Sequence, residues 1–395
     1  MLTEKDITLV KSTIPLLEQA GTAITEYFYQ RMFKHNPELK DIFNMSNQKT
    51  GKQNVALFEA IAAYAKNIED LAALTTAVER IAQKHTSFNI QPAHYQIVGH
   101  HLLSTLRELA PEAFTTEIEE AWANAYQFLA QIFISREEEL YTKRASTKGG
   151  WRGKRQFRVI NKSKESALVT SFIFAPVDNQ NVIDYHVGQY LGVEVKPNDT
   201  ENVEIRQYSL SNKPNDKHYR ISVKREQGEY PGLVSNYLHD QVEVDDVVNL
   251  YAPAGDFFFV DRKSPVVLIS AGVGVTPMQA MLEKLSNKQY QNTVHYIHAC
   301  ENNDQHSFKS RVKELCDKHS WQNNTWYKEK EKNNNEENIY QGFINFDQLD
   351  LPKQNGNFYM CGPVGFMQFT KKSLLNLGVC ESRIHYEVFG PHTHL

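Results

Sequence analysis

Four sites hold residue types that do chemistry, the fourth being the tail His385-Tyr386-Glu387-Val388-Phe389-Gly390-Pro391, whose aromatics by themselves read as sheet packing. Gly272-Val273-Gly274-Val275-Thr276-Pro277 directly follows the apolar run Val266 to Ser270. A glycine loop between a strand and a helix offers free backbone N–H groups to a phosphate. This one lacks the third glycine of the dinucleotide fingerprint, so alone it is a weak signal. Pro277 is placed at the first helical position, where a missing N–H costs nothing. The second stretch, Arg206-Gln207-Tyr208-Ser209, sets a cation, an aromatic face and a hydroxyl at a strand end. Gly188-Gln189-Tyr190 precedes it, and Pro231-Gly232-Leu233-Val234-Ser235-Asn236 then opens a helix whose first amides can hold a pyrophosphate. The third is His85, at helical spacing from Leu74, Val78 and Ile81 and so pointing inward. An inward imidazole is either a metal ligand or a core histidine satisfied by a hydrogen bond, and for a lone histidine the second is the simpler reading.

These residues need scaffolds of different kinds. Up to about residue 145 the apolar residues recur with the helical period. Examples are Ile7, Val10, Ile14 and Leu17 behind a capping box of Thr3 and Asp6, and Trp122, Tyr126, Leu129 and Phe133 in the last helix. Thr142 to Arg155 is basic and rich in small residues, as an interdomain linker is. Short β-rich runs follow (157–160, 168–174, 190–195, 219–223 and 247–251), predicting a small antiparallel barrel. From Pro265 strand, loop and helix alternate, predicting a parallel sheet flanked by helices. Lys328 to Asn338, charged and rich in asparagine, reads as a mobile surface loop. The expected fold is therefore multidomain: all-α, then an antiparallel β-barrel, then α/β. The boundaries are 1–140, a linker at 141–151, 152–262 and 263–395.

Bulk properties narrow the partners. With 43 Lys and Arg against 47 Asp and Glu, the net charge of −4 leaves no basic field for nucleic acid or an anionic membrane. No apolar run reaches membrane-spanning length and no signal-peptide pattern opens the chain. Cys300, Cys316, Cys361 and Cys380 show no metal-type spacing, which fits a reducing cytoplasm.

Asn36-Pro37-Glu38-Leu39 with Phe43, then Gln53 and Leu57 one turn apart, precede His85 in the helical part. On these residues the first part resembles a bacterial globin. Residues 150–262, with their R-x-Y-S tetrad, resemble the FAD domains of the ferredoxin-reductase family. With the motifs in this order the whole chain resembles the flavohaemoglobins.

That resemblance implies a haem b held without covalent attachment, since no C-x-x-C-H exists, with His85 as proximal iron ligand. Phe43 would wedge the haem, Tyr29, Gln53 and Leu57 would line its distal side, and Lys84 would tune haem and flavin potentials. Tyr95 reads by itself as a core aromatic, and Glu137, inside Arg136-Glu137-Glu138-Glu139, as part of a solvated charge run. In the family the matching residues hydrogen-bond near the proximal histidine, and a carboxylate there pushes electron density toward iron.

For FAD the resemblance implies Tyr190, Arg206, Gln207, Tyr208, Ser209, Gly232, Val234, Ser235, Val388, Phe389, Gly390 and Pro391. Phe389 would cover the flavin, and Glu387 would sit between flavin and haem domains. For NAD(P)H it implies Gly272, Val273, Gly274, Val275, Thr276 and Pro277, with Cys361, Gly362 and Pro363 by the nicotinamide. Glu301-Asn302 would meet the adenosine ribose, where an acid favours NADH over NADPH. The implied activity is nitric oxide dioxygenation for nitric oxide detoxification, by a cytoplasmic monomer with O2, nitric oxide and NAD(P)H as its partners. Hydride passes to FAD, single electrons pass to haem, and O2 and NO become nitrate. A gas sensor or O2 store would need no reductase, and a general flavin or haem reductase would need no globin.

Overall fold

The computed structural model describes residues 2–43, 45, 51–198, 200–228, 231–329 and 337–390, leaving the side chain of Lys52 aside. It divides into two compact units. One comprises Met1–Thr147, Trp151–Lys154 and Glu194–Arg206; the other comprises Lys148–Gly150, Arg155–Val193 and Gln207–Leu395. No described helix is long and apolar enough to cross a membrane.

The first unit is built on α1 (Glu4–Ser12), α2 (Ile14–Ala20), α3 (Thr22–His35), α4 (Lys52–Lys66), α5 (Thr75–Thr86), α6 (Pro92–Leu109) and α7 (Thr116–Ser146). The capping box forms: Asp6 N–H donates to Thr3 Oγ1 at 3.1 Å, and Thr3 N–H donates back to the Asp6 carboxylate at 3.0 Å. α3 stops at Asn36 because Pro37 follows and disfavours helical geometry in the residue before it. One core joins Val10, Leu17, Ile24, Tyr64, Leu106 and Trp122, and the Trp122 indole donates to Thr13 Oγ1 at 3.1 Å. A second joins Phe28, Tyr29, Met32, Leu39 and Leu102, with Phe43 and Leu57 against it.

The linker expectation needs a correction. Thr142 to Ser146 complete α7, whose buried stripe of Glu137, Leu140, Tyr141 and Arg144 carries the helix on into the polar stretch that suggested a loop.

Two sheets follow the helices in sequence, most of their residues falling in the second unit, with Lys154, Glu194–Val195 and Glu204–Arg206 in the first. Strands β1 (Lys154–Lys164), β2 (Val169–Pro176), β3 (Tyr190–Val195), β4 (Glu204–Ser209), β5 (Tyr219–Lys224) and β6 (Val247–Ala254) form a sheet in the order β4-β3-β6-β1-β2-β5. β1 and β2, and β2 and β5, pair antiparallel, and a Leu210–Ile221 bridge just past β4 reaches β5, the opposite edge, as a barrel requires. Its interior side chains, such as Phe157, Phe172, Phe174, Ile221 and Val223, are wholly buried, each contributing roughly 1.5–3 kcal/mol. α8 (Leu233–Asp240) lies between β5 and β6 in sequence.

The other sheet is parallel throughout. β7 (Val266–Ala271), β8 (Val294–Cys300), β9 (Gln322–Tyr327), β10 (Ile339–Gln341), β11 (Asn357–Cys361) and β12 (Ile384–Glu387) run in the order β10-β9-β8-β7-β11-β12. α9 (Val275–Asn287), α10 (Lys309–His319) and α11 (Val364–Asn376) are its crossover helices. β9, β10 and β12 were not foreseen. In the loop foreseen at Lys328 to Asn338, residues 330–336 lie outside the described residues.

Candidate functional site

His85 occupies the last turn of α5, and α7 brings a carboxylate to it. Its Nδ1 lies 2.8 Å from Glu137 Oε1 and 2.9 Å from the Tyr95 hydroxyl, which itself donates to Glu137 Oε1 at 2.5 Å. Because Oε1 accepts from both, the imidazole proton belongs on Nδ1, leaving Nε2 as a lone pair. The His85 side chain keeps 32% exposure on an otherwise apolar helix face, while that of Glu137 keeps only 4%. A carboxylate-oriented imidazole of this kind is the donor an axial iron ligand requires, so the residues fit haem. Burial, and then the Glu137 charge, push the Tyr95 phenol far above its ordinary value, so it stays a neutral donor.

Glu137 thus escapes the fate of its neighbours. Glu138 and Glu139 reach solvent and pair with Arg152 and Arg136, whereas the residue four after Phe133 and three before Leu140 faces inward. Two residues behind Tyr95 were missed. The Tyr126 hydroxyl donates to the Tyr95 carbonyl at 2.6 Å, and its ring lies where Gly99 would carry a side chain. A glycine inside the apolar stripe of α6 was the available signal.

In the same unit, Tyr29 stacks on Phe33 at 5.8 Å and meets Phe43 edge-on at 5.7 Å. Leu57 packs on this cluster, and Gln53 lies one turn before it on α4, partly buried. Thr25 Oγ1 donates to the Asn54 carbonyl at 2.9 Å, fixing α4 against α3. Lys84, beside His85, is half-buried.

Arg206, Gln207, Tyr208 and Ser209 end β4, and Arg206 is paired at 2.8 Å with the buried Glu204, a partner the sequence did not suggest. The Tyr190 ring lies against Gly255, where φ of +116° and a ring carbon 2.9 Å from any Cβ both demand glycine. Gly232 is the N-cap of α8, and Ser235 Oγ donates to its carbonyl at 3.1 Å while Val234 is buried. Tyr208→Ala with Ser209→Ala is expected to weaken FAD retention or slow flavin reduction by NADH, because a ring face and a hydroxyl are lost. The checks are flavin content after gel filtration and anaerobic bleaching of the flavin band.

In the parallel sheet Gly272 takes φ +52°, a turn over Gly272–Gly274 follows, and α9 begins at Val275. Pro277 is therefore its third residue, still in the first turn, where N–H groups lack helical partners. Thr276 Oγ1 donates to the Val273 carbonyl at 3.0 Å. Gly274 matters for a reason not foreseen: a Cβ there would collide with the Cys361 carbonyl and come within 2.6 Å of Gly362 N, so it lets two loops touch. Cys361 is buried, its thiol pushed well up by burial and then by Glu387, which sits opposite it in the β11–β12 register; Gly362 is half-buried and Pro363 exposed. Val388 is buried, Phe389 is 44% exposed, Gly390 has φ +123°, and Pro391 lies outside the described residues. Just beyond β8, Glu301 pairs with Lys328 at 3.1 Å and Asn302 donates to Glu329 at 2.6 Å.

Known proteins resemble this chain in sequence and fold. The Globin family model matches residues 26–133, the oxidoreductase FAD-binding domain 156–259 and the oxidoreductase NAD-binding domain 268–372. A curated flavohaemoprotein of Vibrio cholerae serotype O1 is 59% identical over 397 residues, covering 100% of both chains. The structure of a flavohaemoglobin from Malassezia yamatoensis with bound FAD and haem superposes with a TM-score of 0.88 at 27% identity, over 98% of this chain and 100% of that one. The FAD/NAD-binding domain of nitric oxide dioxygenase from Vibrio cholerae O1 biovar El Tor gives 0.58 at 50% identity, covering 60% of this chain and 99% of its own.

Proposed function

The chain belongs to the flavohaemoprotein family, and from that premise we propose that it is an NAD(P)H-dependent nitric oxide dioxygenase, with residues 1–140 holding haem, 152–262 FAD and 263–395 the nicotinamide donor. The observation that carries the reading is the buried Glu137 carboxylate on His85 Nδ1, in a chain that also has a full flavin and nicotinamide reductase. When bound, FAD splits the hydride pair of NAD(P)H into single electrons and haem supplies the iron at which O2 and NO combine.

The chain's own residues do the rest. The glycine loop and the first amides of α9 receive the dinucleotide phosphates, and Glu301 after β8 favours NADH. Arg206 and the α8 N-terminus hold the FAD phosphates, while Tyr190, Tyr208 and Ser209 orient its ring. Tyr29, Phe43, Gln53 and Leu57 shape the space for small gaseous ligands. Glu137 keeps the proton on Nδ1 of His85 and enriches the imidazole in electrons, and Tyr95 pins that carboxylate.

Nitrate formation from NO and O2 takes up one electron, so one NADH should yield two nitrates. Nitrate counted by ion chromatography against NADH consumed at 340 nm tests this. Nitrite as the main product, or NADH oxidation that ignores NO, would refute it. Glu137→Gln is expected to keep haem and FAD yet lower NO turnover about 10–100-fold, the usual cost of losing such an outer partner. Steady-state rates normalised to haem content check this.

A further inference from the structure

Arg144 has no place in that account, yet it is buried in the helix that supplies Glu137. It lies seven residues, two helical turns, beyond the carboxylate and on the same buried stripe. Its residue is 9% exposed; Nη1 donates to Thr86 Oγ1 and Nη2 to Gln83 Oε1, both at 2.5 Å. Those acceptors are themselves buried, and they flank His85 on α5, one residue after it and two before. The guanidinium thus rests at the C-terminal end of α5, where the helix dipole favours a cation. Gln83 is fixed in turn, donating to Glu79 at 2.8 Å, and Glu79 accepts from Arg136 at 2.7 Å. Arg136, Glu79 and Arg144 alternate in sign along the α5–α7 seam, and of these three only Arg144 is buried.

α7 therefore brings two buried charged side chains to the turn that carries His85. The carboxylate acts on the ring itself, and the guanidinium grips the residues on either side. A charge held away from water is weakly screened and acts over a longer range than a surface one. We propose that Arg144 is a positioning residue that also acts through its charge. It clamps the His85 turn and opposes the electron push of Glu137, holding the iron potential above the value the carboxylate alone would set. The inference rests on the haem reading of this unit.

The test is the haem-iron midpoint potential of the full-length holoprotein, with the ferrous iron–histidine stretching frequency beside it. Arg144→Met should lower the potential and raise the stretching frequency, since a positive charge opposing oxidised iron is gone. Glu137→Gln should move both the opposite way. Arg144→Lys, which keeps the charge, should stay near the wild type. Gln83→Glu should lower the potential with Arg144 still in place, because it sets a carboxylate against the guanidinium and keeps that bond, exchanging only the bond donated to Glu79 for a like-charge contact; it also serves if Arg144→Met folds poorly.

A purely structural Arg144 gives the reverse sign. A loosened His85 donates less to iron, and the potential rises. A rise or no change in Arg144→Met and Gln83→Glu, or an equal fall in Arg144→Lys, would overturn the proposal. A wild-type protein without a Soret band would instead sink the haem reading beneath it, so the two failures are distinct.

Discussion

His85→Ala is expected to leave a protein that carries FAD but almost no haem. The substitution removes the imidazole that Glu137 and Tyr95 orient, whereas the flavin and nicotinamide motifs sit on a different scaffold of strands. Soret and flavin absorbances per polypeptide are the measurement. NADH should still bleach the flavin, and NO removal should fall to background. Haem content equal to wild type in this variant would transfer the ligand role elsewhere and dismantle the site as built. Glu137→Gln is the paired control, since it disturbs the orientation of the imidazole and keeps the imidazole.

The second large effect belongs to Gly274→Val. A side chain there meets the Cys361–Gly362 backbone, and neither backbone can rotate away as a flexible side chain could. Overpacking of this kind costs typically about 1–3 kcal/mol, which as weakened NADH binding is about 5–150-fold. Haem and FAD content should stay normal, and dithionite should still reduce both. Anaerobic flavin reduction at rising NADH concentration reads the loss. Gly272→Ala separates space from conformation: nothing lies within 4 Å of its Cβ, but φ is +52°. Its cost is then about 1–2 kcal/mol, that of a left-handed residue with a side chain. Normal NADH affinity in Gly274→Val would mean that the two loops do not jointly form the nicotinamide site.

How far the sequence reaches can be seen from particular residues. The helical period found the body of α7 from Trp122 to Phe133, and apolar strand runs with glycine turns placed β3 and β7, because burial of one face is a local pattern. The cap at Thr3 was legible for the same reason. Arg144 was not. It stands among basic and small residues that look like a linker, and only the partner helix reveals that its position is inward. Glu137 sits among three charged neighbours, and a one-residue difference in phase decides which carboxylate is buried. β12 is four residues long and β10 three, too short for a period to show. Gly274 could be read as a phosphate loop residue, but its contact with Cys361 joins positions 87 apart, which no local pattern encodes. Glu204 beside Arg206 was hidden by ordinary strand alternation, in which a buried acid is unusual but leaves no mark of its own.

The central claim is that nicotinamide, flavin and haem act in series within one chain to oxidise NO. The most direct measurement follows NO with an electrode in aerobic buffer containing the full-length holoprotein. NO removal should be rapid and sustained with NADH and O2 together, should stop when NADH runs out, and should resume when NADH is added again. Removal no faster than in buffer alone, with flavin and haem both shown to be reduced by NADH, would contradict the account.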